Sequence, residues 1–259
     1  MPSVVLLVLA GVAAGLSGSM AGLASLFSYP ALLAVGLPPV VANQANTIAL
    51  AASSVGSIAS SRPELRGQRS RVLRLLPLTV VGGVIGGALV LVTPSETFAL
   101  IVPFLVGGAS LVLLRPPARA SGATGIVGRP DPTPAAGDGR PGAAIVLAAV
   151  GIGIYSGYFG AAAGVLMLAL LSHLLADTLV RVNAVKNVLL GASNAVAAVG
   201  FIVFGEVVWS AALPLMAGLL VGNVTGPVIA RRLPPRVLRV GIAVAGLVLA
   251  VVLFVQAVS

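Results

Sequence analysis

Runs of apolar residues long enough to cross a bilayer recur along this sequence, and almost no charge interrupts them. Val80–Val92, Leu100–Leu114, Leu189–Phe204 and Val240–Val255 lie within such runs. About 20 apolar residues span roughly 30 Å of hydrocarbon as a helix. Lipid offers no partners to backbone N–H and C=O groups, so a spanning segment must be a helix or part of a closed barrel. The runs lack the strict apolar/polar alternation of barrel strands. Only 8% of residues are charged, where a soluble domain carries about 25%. The expected fold class is therefore all-α integral membrane.

The charged residues report orientation. The formal charge is +9, and the arginines sit in short segments between apolar runs. That placement favours membrane topology over nucleic-acid binding. No cysteine is present, which removes disulfides and thiolate chemistry. The first apolar stretch has no basic residue ahead of it, so it is expected to belong to the membrane domain rather than to a signal peptide.

The chain repeats itself weakly. Ser17-Gly18 with Met20, Gly22 and Leu26 matches Ser156-Gly157 with Phe159, Ala161 and Val165. Ala42-Asn43-Gln44-Ala45-Asn46-Thr47 matches Val182-Asn183-Ala184-Val185-Lys186-Asn187, and Thr93-Pro94-Ser95 matches Leu233-Pro234-Pro235. The organisation predicted is a first membrane repeat over 1–114, a cytoplasmic linker over 115–142 rich in Pro, Gly and Ala, and a second membrane repeat over 143–259.

Each repeat opens on an interrupted apolar stretch. Gly15, Ser17, Gly18, Ser19, Gly22 and Ser25 break the first, and Ser156–Gly164 breaks the second. Clustered glycines disfavour an unbroken helix. A broken-helix hairpin is expected in each, either re-entrant or crossing twice; one kinked helix is the alternative, since small residues also serve close helix packing. Three transmembrane helices follow, over about 40–60, 72–92 and 97–114, then about 180–203, 207–230 and 236–257.

Charge tests this topology. If each hairpin returns to its starting side, the loop with Arg62, Arg66, Arg69, Arg71 and Arg74 shares a side with the linker and with Arg231, Arg232 and Arg236. Glu96 and Glu206 fall on the other side. The positive-inside rule then makes the arginine side cytoplasmic, with both termini outside. Equivalent loops swap charge between the repeats, as two inverted repeats require.

Lys186 is the most informative single residue, an ionisable side chain inside an apolar run. Such a group faces a cavity or a partner, or snorkels to the interface. Asn183 and Asn187 share its face at helical spacing, and Asn43, Asn46 and Thr47 repeat that spacing in the first repeat. These amides either bind substrate or join helices. Ser53, Ser54, Ser193 and Asn194 continue two turns onward. Ser17, Gly18, Ser156 and Gly157 are expected to set half-helix N-termini within the membrane, where free N–H groups attract anions. The candidate substrate site thus comprises Lys186, Asn183, Asn187, Asn43, Asn46, Thr47, Ser17, Gly18, Ser156 and Gly157. Tyr155, Tyr158, Phe159, Phe27 and Tyr29 flank the breaks and either gate or pack. His173 and Asp177, four apart, read as an interfacial pair on one helical face, and Trp209 as an interfacial anchor. No catalytic constellation, P-loop or metal-ligand cluster occurs, so neither enzyme activity nor a cofactor is expected.

The stretch Gly15-Leu-Ser-Gly18-Ser-Met-Ala-Gly22…Pro30 followed by Ala42-Asn43…Asn46-Thr47 resembles the TauE/SafE family of sulfite and organosulfonate exporters. So does Ser156-Gly157-Tyr-Phe-Gly160-Ala-Ala-Ala-Gly164 followed by Arg181-Val-Asn183-Ala-Val-Lys186-Asn187. The chain departs from the family in the first hairpin, where Gly22-Leu23-Ala24-Ser25 stands for a fuller glycine run. The resemblance implies a multi-pass transporter in the bacterial plasma membrane that exports a small sulfur-containing anion. A channel-like facilitator of a small solute is the alternative. The partners implied are a small anion and the lipid bilayer; a coupling proton or sodium ion and a homo-oligomer are compatible with the sequence but not demanded by it.

Overall fold

The computed structural model describes residues 2–114, 142–175 and 177–230, together with scattered positions between 244 and 255. The expected linker and the span expected over 236–257, with Arg231, Arg232 and Arg236, lie outside the described residues or almost wholly so. All regular structure among the described residues is α-helical.

Helix α1 (Pro2–Ala21) and helix α2 (Ser25–Ala34) are separated by a break at Gly22, whose φ of 72° an L side chain tolerates poorly. Pro39 starts α3 (Pro39–Ser60), where its missing N–H costs nothing. A short α4 (Arg62–Leu65) leads into α5 (Arg69–Val92) and α6 (Ser95–Leu114). The pattern then recurs. Helix α7 (Ala143–Tyr158) breaks at Gly160, with φ of 73°, before α8 (Ala163–Leu174). Helices α9 (Leu179–Phe204) and α10 (Trp209–Ala230) follow. At 24 and 26 residues, α5 and α9 are long and apolar enough to cross a membrane.

The breaks fall later than the sequence suggests. Ser17, Gly18 and Ser19 are helical in the last turns of α1, and Ser156 and Gly157 are helical near the end of α7. They do not begin half-helices. Single glycines and serines inside a helix cost too little to end it when the surrounding packing is tight; the first break turns at Gly22 and the second at Gly160 and Ala162, all at positive φ.

Glycine stripes hold the helices together. Gly11 and Gly15 on α1 face Gly218 and Gly222 on α10, while Gly82 and Gly86 on α5 face Gly153 and Gly157 on α7. A methyl added to Gly218 would sit 2.1 Å from the Val8 carbonyl oxygen, and one on Gly86 equally close to that of Ile154. Small residues let backbones approach where no hydrophobic effect separates lipid from protein. The residue pairs also give directions. Helix α1 runs parallel to α10, and α5 parallel to α7. Helix α3 runs antiparallel to α9, since Gly205 meets Gln44 and Gly191 meets Ser54.

Two clusters mark the opposite ends of the bundle. At one end Arg71 pairs with Asp177 at 2.7 Å, Arg181 with Asp177 at 3.0 Å, and Arg181 donates to the Arg66 carbonyl at 3.0 Å. At the other, the Glu206 N–H donates to Gln44 Oε1 at 2.9 Å, and the Val40 N–H reaches Ser95 Oγ at 3.5 Å. Asp177 is therefore not on one helical face with His173. Helix α8 ends at Leu174, His173 is exposed in its last turn, and Asp177 sits in the following loop.

The outer surface is strongly apolar. Phe204 is 78% exposed and Val92 76%, along with many other large apolar side chains. Beside a hydrophobic core, the interior also holds Asn43, Gln44, Asn46, Ser53, Ser193 and Lys186. Exposed apolar area on this scale needs a nonaqueous surrounding. Trp209, at the start of α10 and 46% exposed, suits an interfacial position.

Candidate functional site

The two breaks meet. Gly22 and Gly164 touch backbone to backbone, and their neighbours line one cavity of about 90 Å³. A water needs roughly 10–15 Å³ on this scale, so the space suits several waters or one small polyatomic ion. Its walls come from both interrupted pairs and from α3, α9 and α10. Gly18, Ser19 and Ser25 contribute from the first pair, and Ser156, Gly160 and Gly164 from the second. Helix α3 adds Ser53, Ser54 and Ser57, α9 adds Lys186, Asn187 and Asn194, and α10 adds Asn223.

Lys186 is 3% exposed and is the one ionisable residue among the lining residues. No carboxylate or hydrogen-bond acceptor partners it among the described residues. A buried ammonium without a counter-ion is costly unless something mobile completes it. The surrounding hydroxyls and amides can donate or accept. Ser156 donates to Asn194 Oδ1 at 3.0 Å, and Asn223 donates to the Ser53 carbonyl at 3.4 Å.

Helix termini at the breaks act differently from the expectation of two bare N-terminal ends. Helix α2 begins at Ser25 and α8 at Ala163, and most of their first N–H groups already have partners in the turn before: Leu26 donates to the Leu23 carbonyl, Phe27 and Ser28 to that of Ala24, Ala163 to that of Gly160, and Val165 and Leu166 to that of Ala162. However, α1 ends at Ala21 and α7 at Tyr158, so each break also carries a helix C-terminus. Terminal half-charges of opposite sign then oppose one another. What each break contributes is close backbone approach rather than net charge.

The ten residues singled out from sequence divide. Lys186, Asn187, Gly18 and Ser156 line the cavity. Asn43 and Asn46 do not. Asn43 donates to the Tyr158 carbonyl at 2.8 Å, tying α3 to the end of α7. Asn46 donates to Ser25 at 3.2 Å and accepts from Ser28 at 2.5 Å, tying α3 to α2. Thr47 is buried beside them. Ser17 donates to the Ala14 and Leu23 carbonyls across the first break. Gly157 packs against Gly83, and Asn183 is half-buried outside the lining. The amides matched in the first repeat therefore position the breaks. Asn223 and Ser57 were missed; the signal for Asn223 was a lone amide in an apolar run.

The aromatic residues around the second break pack. Tyr29 and Phe159 meet edge-on at 5.1 Å, and Phe98 contacts both Tyr158 and Phe159. The Tyr155 hydroxyl donates to the Ala161 carbonyl. A second cavity of about 200 Å³, lined by Phe104, Leu105, Tyr155 and Leu166 among others, is nearly all apolar and cannot bind an ion.

Outside the spans, Asp177 is the charged hub. Burial pushes its carboxyl up, but hydrogen bonds from Arg71, the Thr178 N–H and Arg181, with the Arg181 charge, outweigh that and hold it below the usual carboxylate range. Gln68, wholly buried, donates to the same carboxylate at 3.1 Å.

A family model described as sulfite exporter TauE/SafE matches residues 7–253, nearly the whole chain. Comparison with curated proteins and with solved structures gives no match.

Proposed function

Since this chain belongs to the sulfite exporter TauE/SafE family, we propose that it is a multi-pass secondary transporter that moves a small anion, sulfite, an organosulfonate or a related sulfur anion, outward across the bacterial plasma membrane. The family consists of membrane transporters rather than enzymes. One observation carries the reading: Lys186 lies buried, without a partner among the described residues, in the wall of a polar cavity. A small anion supplies the missing counter-charge, and the Ser and Asn side chains replace its hydration shell.

The architecture proposed is two inverted repeats, 1–114 and 143–259, with both termini outside. Supporting this, α1 pairs with α10 as α7 pairs with α5, and the corresponding helices α3 and α9 run in opposite directions. The Arg66, Arg71 and Arg181 end is assigned to the cytoplasm, because basic residues gather there. The site then sits where the repeats face each other, as alternating access around a central site requires.

The test is counterflow in proteoliposomes. Vesicles preloaded with unlabelled sulfite should accumulate external labelled sulfite transiently, and internal sulfite should accelerate uptake. Flux without such trans-acceleration would favour the channel-like facilitator, and absence of any sulfur-anion flux would refute the assignment.

A further inference from the structure

Resting on the transporter reading above, we infer that the cavity selects singly charged oxyanions and rejects dianions of the same size. The charge inventory carries this. Lys186 provides one formal positive charge and no second cation lines the cavity among the described residues. The helix ends add little net charge, because each break sets a C-terminus beside an N-terminus. The other polar lining groups are neutral: the hydroxyls of Ser19, Ser25, Ser53, Ser54, Ser57 and Ser156, and three amides.

A monoanion makes the loaded cavity electrically neutral. A dianion leaves one uncompensated negative charge beside a lysine that is itself 3% exposed, the arrangement that interiors tolerate least. Hydroxyls and amides satisfy oxyanion lone pairs but do not cancel that charge. For sulfite itself, the species taken is the singly protonated one, hydrogensulfite, and uptake into the site should rise as pH falls through the range where the two forms exchange.

Methanesulfonate and sulfate separate charge from shape, since a methyl group replaces one charged oxygen on the same tetrahedral frame. Thermal stabilisation of the purified full chain is measured against each at equal ionic strength. Methanesulfonate is expected to bind at least ~10-fold more tightly than sulfate, a ratio equivalent to about 1.4 kcal/mol. In Lys186→Gln that stabilisation should vanish, and in Asn187→Lys, which adds a second ammonium to the wall, the ratio should fall toward one or invert. Sulfate binding as well as methanesulfonate to the unaltered protein would overturn the charge selection while leaving an anion transporter intact. Stabilisation by neither, nor by hydrogensulfite, would overturn the transporter reading and this inference together. The comparison on the unaltered chain decides the matter even where a variant does not fold.

Discussion

A methyl group on Gly164 would lie 2.5 Å from the Gly22 Cα, so the two helix breaks touch backbone to backbone. The contact joins residues far apart in the chain and closes one side of the cavity that holds Lys186. Any side chain there must push the breaks apart.

Gly164→Ala and Gly22→Ala should therefore both reduce thermal stability and transport. Overpacking of a tight contact costs typically 1–3 kcal/mol, and Gly22 adds the strain of a positive φ. Gly151→Ala is the control, because a methyl there meets nothing within 4 Å; it should be neutral or stabilise by up to about 1 kcal/mol. Melting temperatures in one detergent compare the three. Equal behaviour of Gly164→Ala and Gly151→Ala would show that the breaks do not pack as described.

Lys186→Met should lower counterflow by at least ~100-fold while expression and melting stay near normal, because removing an unpaired buried charge leaves no orphaned partner. Lys186→Arg should keep partial activity, the charge remaining but the cavity shrinking. Full transport by Lys186→Met would remove the lysine from the binding site.

Asn43→Ala and Asn46→Ala should act differently from Asn187→Ala. The first two break ties from α3 to the ends of α7 and α2, and loss of a buried hydrogen bond costs about 1–3 kcal/mol. Their melting temperatures should drop. Asn187→Ala changes the cavity wall and breaks no side-chain hydrogen bond among the described residues, so its main effect should be on substrate affinity. The split is read from apparent KM against melting temperature for each variant.

Acid should weaken the Arg71–Asp177–Arg181 cluster. The Asp177 carboxyl is depressed in the folded protein, so its stabilisation is fully present above the unfolded value of about 3.9. It is lost as pH falls through the lower folded value. Melting measured from pH 6 down to pH 3 should therefore fall more steeply in the unaltered protein than in Asp177→Asn. Parallel curves would mean that the cluster adds no pH-linked stability.

The chain has no cysteine, so single replacements report sidedness cleanly. Arg66→Cys should react with a membrane-impermeant thiol reagent only from the cytoplasmic side, and Glu206→Cys only from outside. Labelling of both from the same compartment would dismantle the proposed topology.

The apolar runs and their near absence of charge determined by themselves that the described residues are helical, and they located α3, α5, α6, α9 and α10 to within a few residues, because lipid leaves the backbone no other way to satisfy its hydrogen bonds. Lys186 stood out for the same reason: a charge in such a run needs an explanation. What the sequence left undecided was rotation and contact. Asn43 and Asn187 share a similar spacing, yet one clamps a helix end and the other lines the cavity. Ser17 and Ser156 look equivalent, yet only Ser156 lines it. Asp177 needed the fold to find Arg71 on a distant helix. Only tertiary packing settles such differences, because which face of a helix meets a neighbour depends on where glycine backbones can approach, and no single segment carries that information.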